Sequence, residues 1–478
     1  MNIPTDTSSA ATALDALIPR IDRARIVTEG PELDAASAVW NGAVNHRPAL
    51  VVRCETTEDV RHAIRAARES GLPLSVRGGG HDWAGRAVRP GGLVIDLTRM
   101  RQVSVRDGVA TVAGGATSAD VAEAADRHGL AAATGTVGAV GMVGLTLGGG
   151  YGPFSGRFGL AADNLLAAEV VLADGRVVRA VQDGAGPDGA GRNGAGRDGD
   201  PELLWALRGG GGNFGVVTSA EVALHPVTEV LAGSFIFPWE QADQVLHGYG
   251  ELLESAPDAL TAGITLVSGP DGSPAVAVSP TWSGTLTDGT AVLDGFAALG
   301  TPLSAAVSSM SPLAKLREFD GAFPDGARYA IRTRNVAAFT SGVVSALLEA
   351  YTARTSPGTF INIHHFHGAA ARTALDSGAF GLRQDHYMVE LIEIGTPGDG
   401  PPAGEWPQRA SAMLAPYALP GGYPNLLGPD DEHQAEAAYG PHTARLLAVK
   451  GRLDPDDVFT ATPLPRRTSP ALAARHRA

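Results

Sequence analysis

Glycine placement constrains this chain more than any other feature. Three runs stand out: VRGGGH at 76–81, GTVGAVGMVGLTLGGGYG at 135–152 and RGGGGNFG at 208–215. Without Cβ atoms, such segments bring bare backbone N–H groups close to a ligand or turn with positive φ. A tight turn accounts for any one run taken alone. Three in one region suggest instead an elongated ligand, such as a nucleotide, that touches several loops. Glycines at 135, 138, 141 and 144 recur every third residue, which reads as an extended, kinked segment beside a flat ligand. No GxxxxGK[ST] motif occurs, and the glycines at 148–152 do not open a βαβ dinucleotide unit.

Residues 48–81 predict strand, helix, strand. Leu50 to Cys54 is an apolar run, and Thr56 with Asp59 is a capping pattern. Val60, Ala63, Ile64 and Ala67 then recur at helical spacing until Gly71, and the strand Leu74 to Arg77 runs into the first glycines. GLVIDL at 92–97 is another strand, and 108–130 gives a strand and a short helix, so the first half reads as α/β. A Gly/Asp/Ala-rich stretch at about 183–200 reads as a flexible surface loop. Mixed strands and helices from 226 to 405 suggest a second domain, HQAEAAYGPHTARLLAVKGRL reads as helix, and the tail from about 466 is expected to be disordered.

The balance of 37 basic against 51 acidic residues, a formal charge of −14, argues against nucleic acid or anionic membrane as partner. The N-terminal stretch lacks a basic region followed by an apolar one, and no apolar stretch approaches a bilayer span, so the protein is expected to be soluble and cytoplasmic. The single cysteine, Cys54, excludes an intramolecular disulfide and a multi-thiolate zinc site, and reads as a small core residue. Small-molecule chemistry fits these bounds.

The stretches VRGGGHDWAG (76–85), GMVGLTLGGGYGPFSGRFGLAADNLLAAEVVLADG (141–175), ELLWALRGGGGNFGVVTSAEVALHP (202–226), GGYPNLLG (421–428) and AAYGPHTARLLAVKGRLDPDDVF (437–459) together carry a resemblance. The chain resembles the FAD-linked oxidases of the berberine bridge enzyme and 6-hydroxy-D-nicotine oxidase type. That resemblance implies an α+β fold: a two-part PCMH-type FAD-binding domain (1–225 and 406–478) around an inserted α+β substrate domain (226–405), an antiparallel sheet covered by helices. It implies FAD joined through its 8α-carbon to His81. Val137 stands where many members carry a second, cysteinyl link, so a single link is expected. Cofactor contacts are implied for Arg77, Gly78, Gly79, Gly80, Asp82, Gly85, Thr136, Val140, Gly141, Gly144, Thr146, Gly148, Gly149, Gly150, Tyr151, Gly152, Asn164, Val217, Tyr423 and Asn425. Val140 falls where the oxidases carry a small residue that leaves oxygen a path to the flavin. Asp163 and Asn164 also read as loop-fixing residues.

Removing hydride from an alcohol or amine requires a base for the proton. FINIHHFHG (360–368) alternates as a strand, with Ile361 and Ile363 on one face and Asn362, His364 and Phe366 on the other. If the isoleucines face the core, His364 faces the cavity; solvated or hydrogen-bonded strand histidines are the alternative for His364, His365 and His367. Alternation keeps those three from converging on one metal ion, and no metal is expected. Tyr423 and Asn425 match the family's Y-x-N motif, whose tyrosine assists deprotonation or only bonds the flavin edge. HYMVELIEIG (386–395) offers Tyr387, Glu390 and Glu393, with Glu390 a candidate for orienting substrate. The expected function is a flavin oxidase that takes hydride from a C–H next to O or N of a small molecule and reduces O2 to H2O2. A flavin-dependent oxidative cyclase or oxygenase and a non-catalytic flavin-binding protein are the alternatives.

Overall fold

The computed structural model describes residues 7–182, 199–269, 271–395 and 404–465. The predicted loop near 183–200, except its last two residues, and the predicted disordered tail lie outside these. The described strands form three sheets. In the first, Leu50–Arg53, Leu93–Asp96 and Leu74–Arg77 lie side by side in parallel, with Ile26–Val27 antiparallel at the far edge.

The connecting helix Thr57–Glu69 starts where the capping pattern predicted: Thr56 Oγ1 accepts from Asp59 N, and the Asp59 carboxylate accepts from Thr56 N. Burial pushes the Asp59 carboxyl up, but Arg25 and the backbone donors prevail and hold it below the usual carboxylate range. Val60 and Ile64 are fully buried over the sheet, worth about 1.5–3 kcal/mol each. Cys54 lies in the same core, where burial pushes its thiol well up. The strand Leu74–Arg77 at the sheet edge then delivers the chain into the first glycine run.

The second sheet, in the order Val103–Arg106, Val109–Ala113, Val216–His225, Leu165–Val171 and Val177–Val181, is antiparallel. The short strand Ala131–Ala132 pairs with its central member, Val216–His225. Between strands, the second glycine run departs from the extended segment predicted for it. Met142–Leu147 is a short helix, because a three-residue spacing also places Gly141 and Gly144 on one side of a helical turn.

The third sheet has seven antiparallel strands, all between Val230 and Gly395. Helices Ala242–Leu253, Ser341–Thr352 and Glu405–Leu414 cover one face, on which Ile361, Ile363, Val389 and Leu391 are fully buried. Alternation forces His364, Met388 and Glu390 onto the other face. Near the C-terminus, the single predicted helix is two, Glu432–Ala438 and Thr443–Leu453. Pro441 lacks the N–H that a continuous helix needs, and Gly440 takes φ 48. The Lys450 ammonium, buried against Asp454, donates to Asn213 O and Phe459 O and so ties this segment to the third glycine run.

Candidate functional site

A cavity of 330 Å³ lies where loops of the first two sheets meet the face of the third opposite its three long helices. Gly78, Gly79, Gly80, His81 and Asp82 line it, as do Thr136, Val140, Gly141, Gly144, Tyr151, Val217, His364, Glu390, Tyr423 and Asn425.

The glycines divide by task. A Cβ on Gly79 would lie 2.3 Å from Gly141 N, and one on Gly141 would lie 2.6 Å from Gly79 N, so two loops meet there backbone to backbone. Gly148 is closed off by Asn425 Oδ1 at 2.0 Å and Gly152 by Thr134 O at 1.9 Å. Gly149 and Gly150 take φ values of 132 and 93 that side chains rarely adopt. Gly209 and Gly211 pack against Phe380 and Thr462. Gly144 alone of this group has no atom within 4 Å of its Cβ position, and it faces the cavity. Most glycines therefore let segments close on one another, and few are there for the ligand.

Several predicted contacts fall outside the cavity wall. Arg77 turns its guanidinium to Ala36 O at 2.6 Å. Gly85 packs on Val44. Thr146 Oγ1 donates to Met142 O within its own helix. Gly148, Gly149, Gly150 and Gly152 shape the turn behind the wall. Asn164 donates to Phe158 O and Leu160 O and bonds His225, and Asp163 pairs with the buried Arg383, so both act as loop-fixing residues.

Two wall residues carried no motif. Arg86 Nε and Nη2 both donate to Asp82 Oδ1, at 3.0 and 2.6 Å, while its buried Nη1 has no partner. The Arg89 guanidinium, whose pKa is pulled down by burial, faces no carboxylate or acceptor among the described residues. The half-buried Arg89 guanidinium, with no acceptor, and the spare Nη1 of Arg86 are both suited to an anion.

On the sheet face, His364 Nε2 lies 3.2 Å from Glu390 Oε2. Thr265 Oγ1 donates to Asn362 Oδ1 and fixes that amide, whose Nδ2 donates to Glu390 Oε2 at 2.8 Å and lies 2.8 Å from His364 Nε2. Burial pushes the Glu390 carboxyl up, but His364 and Asn362 outweigh it and hold it below its ordinary value. His365 and His367 stack on each other at 4.0 Å, and both are buried. His365 also stacks on Tyr387, which lies in the helix-covered core, and Glu393 approaches Thr355 instead of the cavity.

Beneath the sheet, Tyr423 Oη accepts from Gly150 N at 2.8 Å and from Asn425 Nδ2 at 3.0 Å, while Asn425 also donates to Leu145 O. Burial pushes the Tyr423 phenol up to about 12 against those hydrogen bonds. The Tyr151 ring stands edge-on to it at 4.7 Å. His386 Nδ1 faces only the carbonyl of Gln384, so Nδ1 carries the proton and Nε2 accepts from the Tyr151 hydroxyl at 2.9 Å. The His81 ring stacks on Trp40 at 5.2 Å, and burial lowers its pKa against the pull of Asp325.

These walls fit a flavin dinucleotide, which is long, flat and doubly negative. The unpartnered Arg86 Nη1 and Arg89 suit its phosphates, the bare face at Gly144 its ring or chain, and the apolar Val76, Leu97, Val216 and Phe459 its non-polar faces.

Comparison with known proteins agrees. The family described as "FAD binding domain" matches residues 48–180. The (R)-6-hydroxynicotine oxidase of Paenarthrobacter nicotinovorans is 30% identical over 454 residues, covering 89% of this chain and 93% of that one. A crystal structure of 6-hydroxy-D-nicotine oxidase from Arthrobacter nicotinovorans superposes with a TM-score of 0.80 at 28% identity, over 91% of this chain and 96% of that one. The structure of a berberine bridge enzyme variant, at 19% identity and a TM-score of 0.81, shares the fold over 96% of this chain and 100% of that one. The chain thus belongs to the family of FAD-linked oxidoreductases that includes 6-hydroxynicotine oxidase, and it is an FAD-dependent oxidoreductase.

Proposed function

We propose that this oxidoreductase is an oxidase that takes hydride from a C–H next to O or N of a small organic molecule and passes the electrons to O2, giving H2O2. The bound flavin supplies the two-electron acceptor. His81 is its attachment point, and its depressed pKa keeps the ring neutral and nucleophilic. Val137 on the cavity wall and the buried Cys54 leave no thiol for a second link.

The observation that carries the reading is the His364–Glu390 pair on the wall. Glu390, held ionised 3.2 Å from His364 Nε2, stabilises the imidazolium that forms when His364 takes up a proton. His364, on the cavity wall, accepts the substrate proton. Tyr423, whose oxygen already accepts two N–H groups, keeps its own proton and donates it to the substrate heteroatom or the flavin edge. Asn425 positions that phenol. The small Val140 on the wall leaves room for O2.

The test is anaerobic mixing of the yellow enzyme with a panel of alcohols, amines and sugars, followed by air. Bleaching of the flavin, then rapid recovery with one peroxide per turnover, is expected. Bleaching that air does not reverse would point to a dehydrogenase instead.

A further inference from the structure

Resting on the reading of His81 as the attachment point, we infer that Trp40 and Tyr329 form an aromatic clamp that orients the His81 ring for its bond to the flavin. Neither ring nitrogen of His81 is hydrogen-bonded among the described residues, and the residue follows Gly80 at φ 71 in a loop of glycines. Something other than a hydrogen bond must set its ring. The Trp40 ring lies on it at 5.2 Å and 18°, and the Tyr329 ring lies on Trp40 at 3.8 Å and 17°.

The clamp is itself firmly held. Trp40 N donates to Gly80 O at 3.0 Å, its Nε1 to Phe323 O at 3.0 Å, and its carbonyl accepts from Gly326 N at 2.8 Å. Next to it, Asn41 Nδ2 donates to Trp83 O and Tyr329 O, and its Oδ1 accepts from Tyr329 N at 2.9 Å. The Tyr329 hydroxyl donates to Pro324 O. One short segment thus joins the histidine loop to the start of the strand Arg328–Val336. Trp40 is off the cavity wall that His81 lines, so it acts through His81 and is a positioning residue.

Stacking engages the face of the imidazole and leaves its edge, where the nitrogen lone pair lies, free to approach the flavin. The bond joins a His81 ring nitrogen to C8α. C8α loses a hydrogen, the other ring nitrogen gives up its proton, and the two electrons and two protons pass by way of the flavin to O2, which leaves as H2O2. Such a step depends steeply on the aim of the attacking atom, so a loosened ring slows it without abolishing FAD binding.

The experiment compares wild type with Trp40→Phe, Trp40→Leu and Tyr329→Leu. Each apo protein is given FAD, quenched in acid at intervals, and scored for flavin that stays with the denatured chain. FAD affinity is measured for the same changes in a His81→Ala background. Expected are near-wild-type incorporation in Trp40→Phe, at least tenfold slower incorporation in both leucine variants, and FAD affinity within threefold throughout. Incorporation at the wild-type rate in the leucine variants, or a loss of FAD affinity that accounts for the slowing, overturns the clamp. If Trp40→Leu does not fold, Tyr329→Leu decides, since it leaves every hydrogen bond of Trp40 in place. Wild type that never retains flavin refutes the attachment itself.

Discussion

Replacing Gly144 with alanine sets two consequences of the site against each other. Gly144 sits inside the helix Met142–Leu147, and its Cβ position has no atom within 4 Å. The new methyl therefore meets no strain, and helix propensity favours it by up to about 1 kcal/mol. In a chain of this size that is a rise of roughly 1–2 °C in the apo unfolding midpoint, below the per-residue scaling of smaller domains. The same methyl projects into the cavity where the dinucleotide is to lie. Loss of that close approach should weaken FAD at least about tenfold, or ~1.4 kcal/mol. Thermal unfolding of apo protein and flavin-fluorescence titration, both in a His81→Ala background, read the two effects separately. A raised midpoint with unchanged FAD affinity would refute the placement of the cofactor along this helix. Gly79→Ala is the contrasting control: its Cβ would stand 2.3 Å from Gly141 N, so apo stability should fall by about 1–3 kcal/mol.

Three further outcomes follow from the geometry. His364→Gln should slow flavin reduction by substrate about 10²–10⁴-fold, the range for loss of a positioned base, with FAD binding unchanged; stopped-flow absorbance reads it. Arg89→Gln should weaken FAD binding and flatten its dependence on salt, which titrations at two ionic strengths would measure. Folding stability should rise with pH between about 4 and 6.5. Burial lowers His386 from 6.5 to about 4 and lowers His365 and His367 as well, so in that window the unfolded chain binds more protons than the folded one. His386 alone accounts for about 3 kcal/mol, and His386→Phe should lessen the slope seen in unfolding midpoints from pH 4 to 7.

Local rules read the first sheet and its helix well because their signals are local. Thr56 and Asp59 cap the helix they announce, and Leu74–Arg77 is a strand that ends at glycine. The alternation of 360–366 set Ile361 and Ile363 on the face opposite His364, and the structure buries the isoleucines in the core and puts His364 on the cavity. What a linear pattern could not supply was the partner of each glycine. Gly79 is glycine because Gly141 comes within touching distance, and Gly148 because Asn425, far along the chain, leans on it. The spacing that read as extended backbone is equally a helical turn, and only packing decides between them. Arg89 and Trp40 lay outside every motif, since one is marked by the absence of a partner and the other by a stack that forms across the fold.

The most direct test of the whole account is to precipitate the purified protein in acid, digest it and examine its peptides for bound flavin by absorbance and mass. The account predicts a yellow pellet and one flavin-bearing peptide, the one that contains His81, with the label absent in His81→Ala. A colourless pellet with all flavin in the supernatant, or flavin on any other residue, would contradict it.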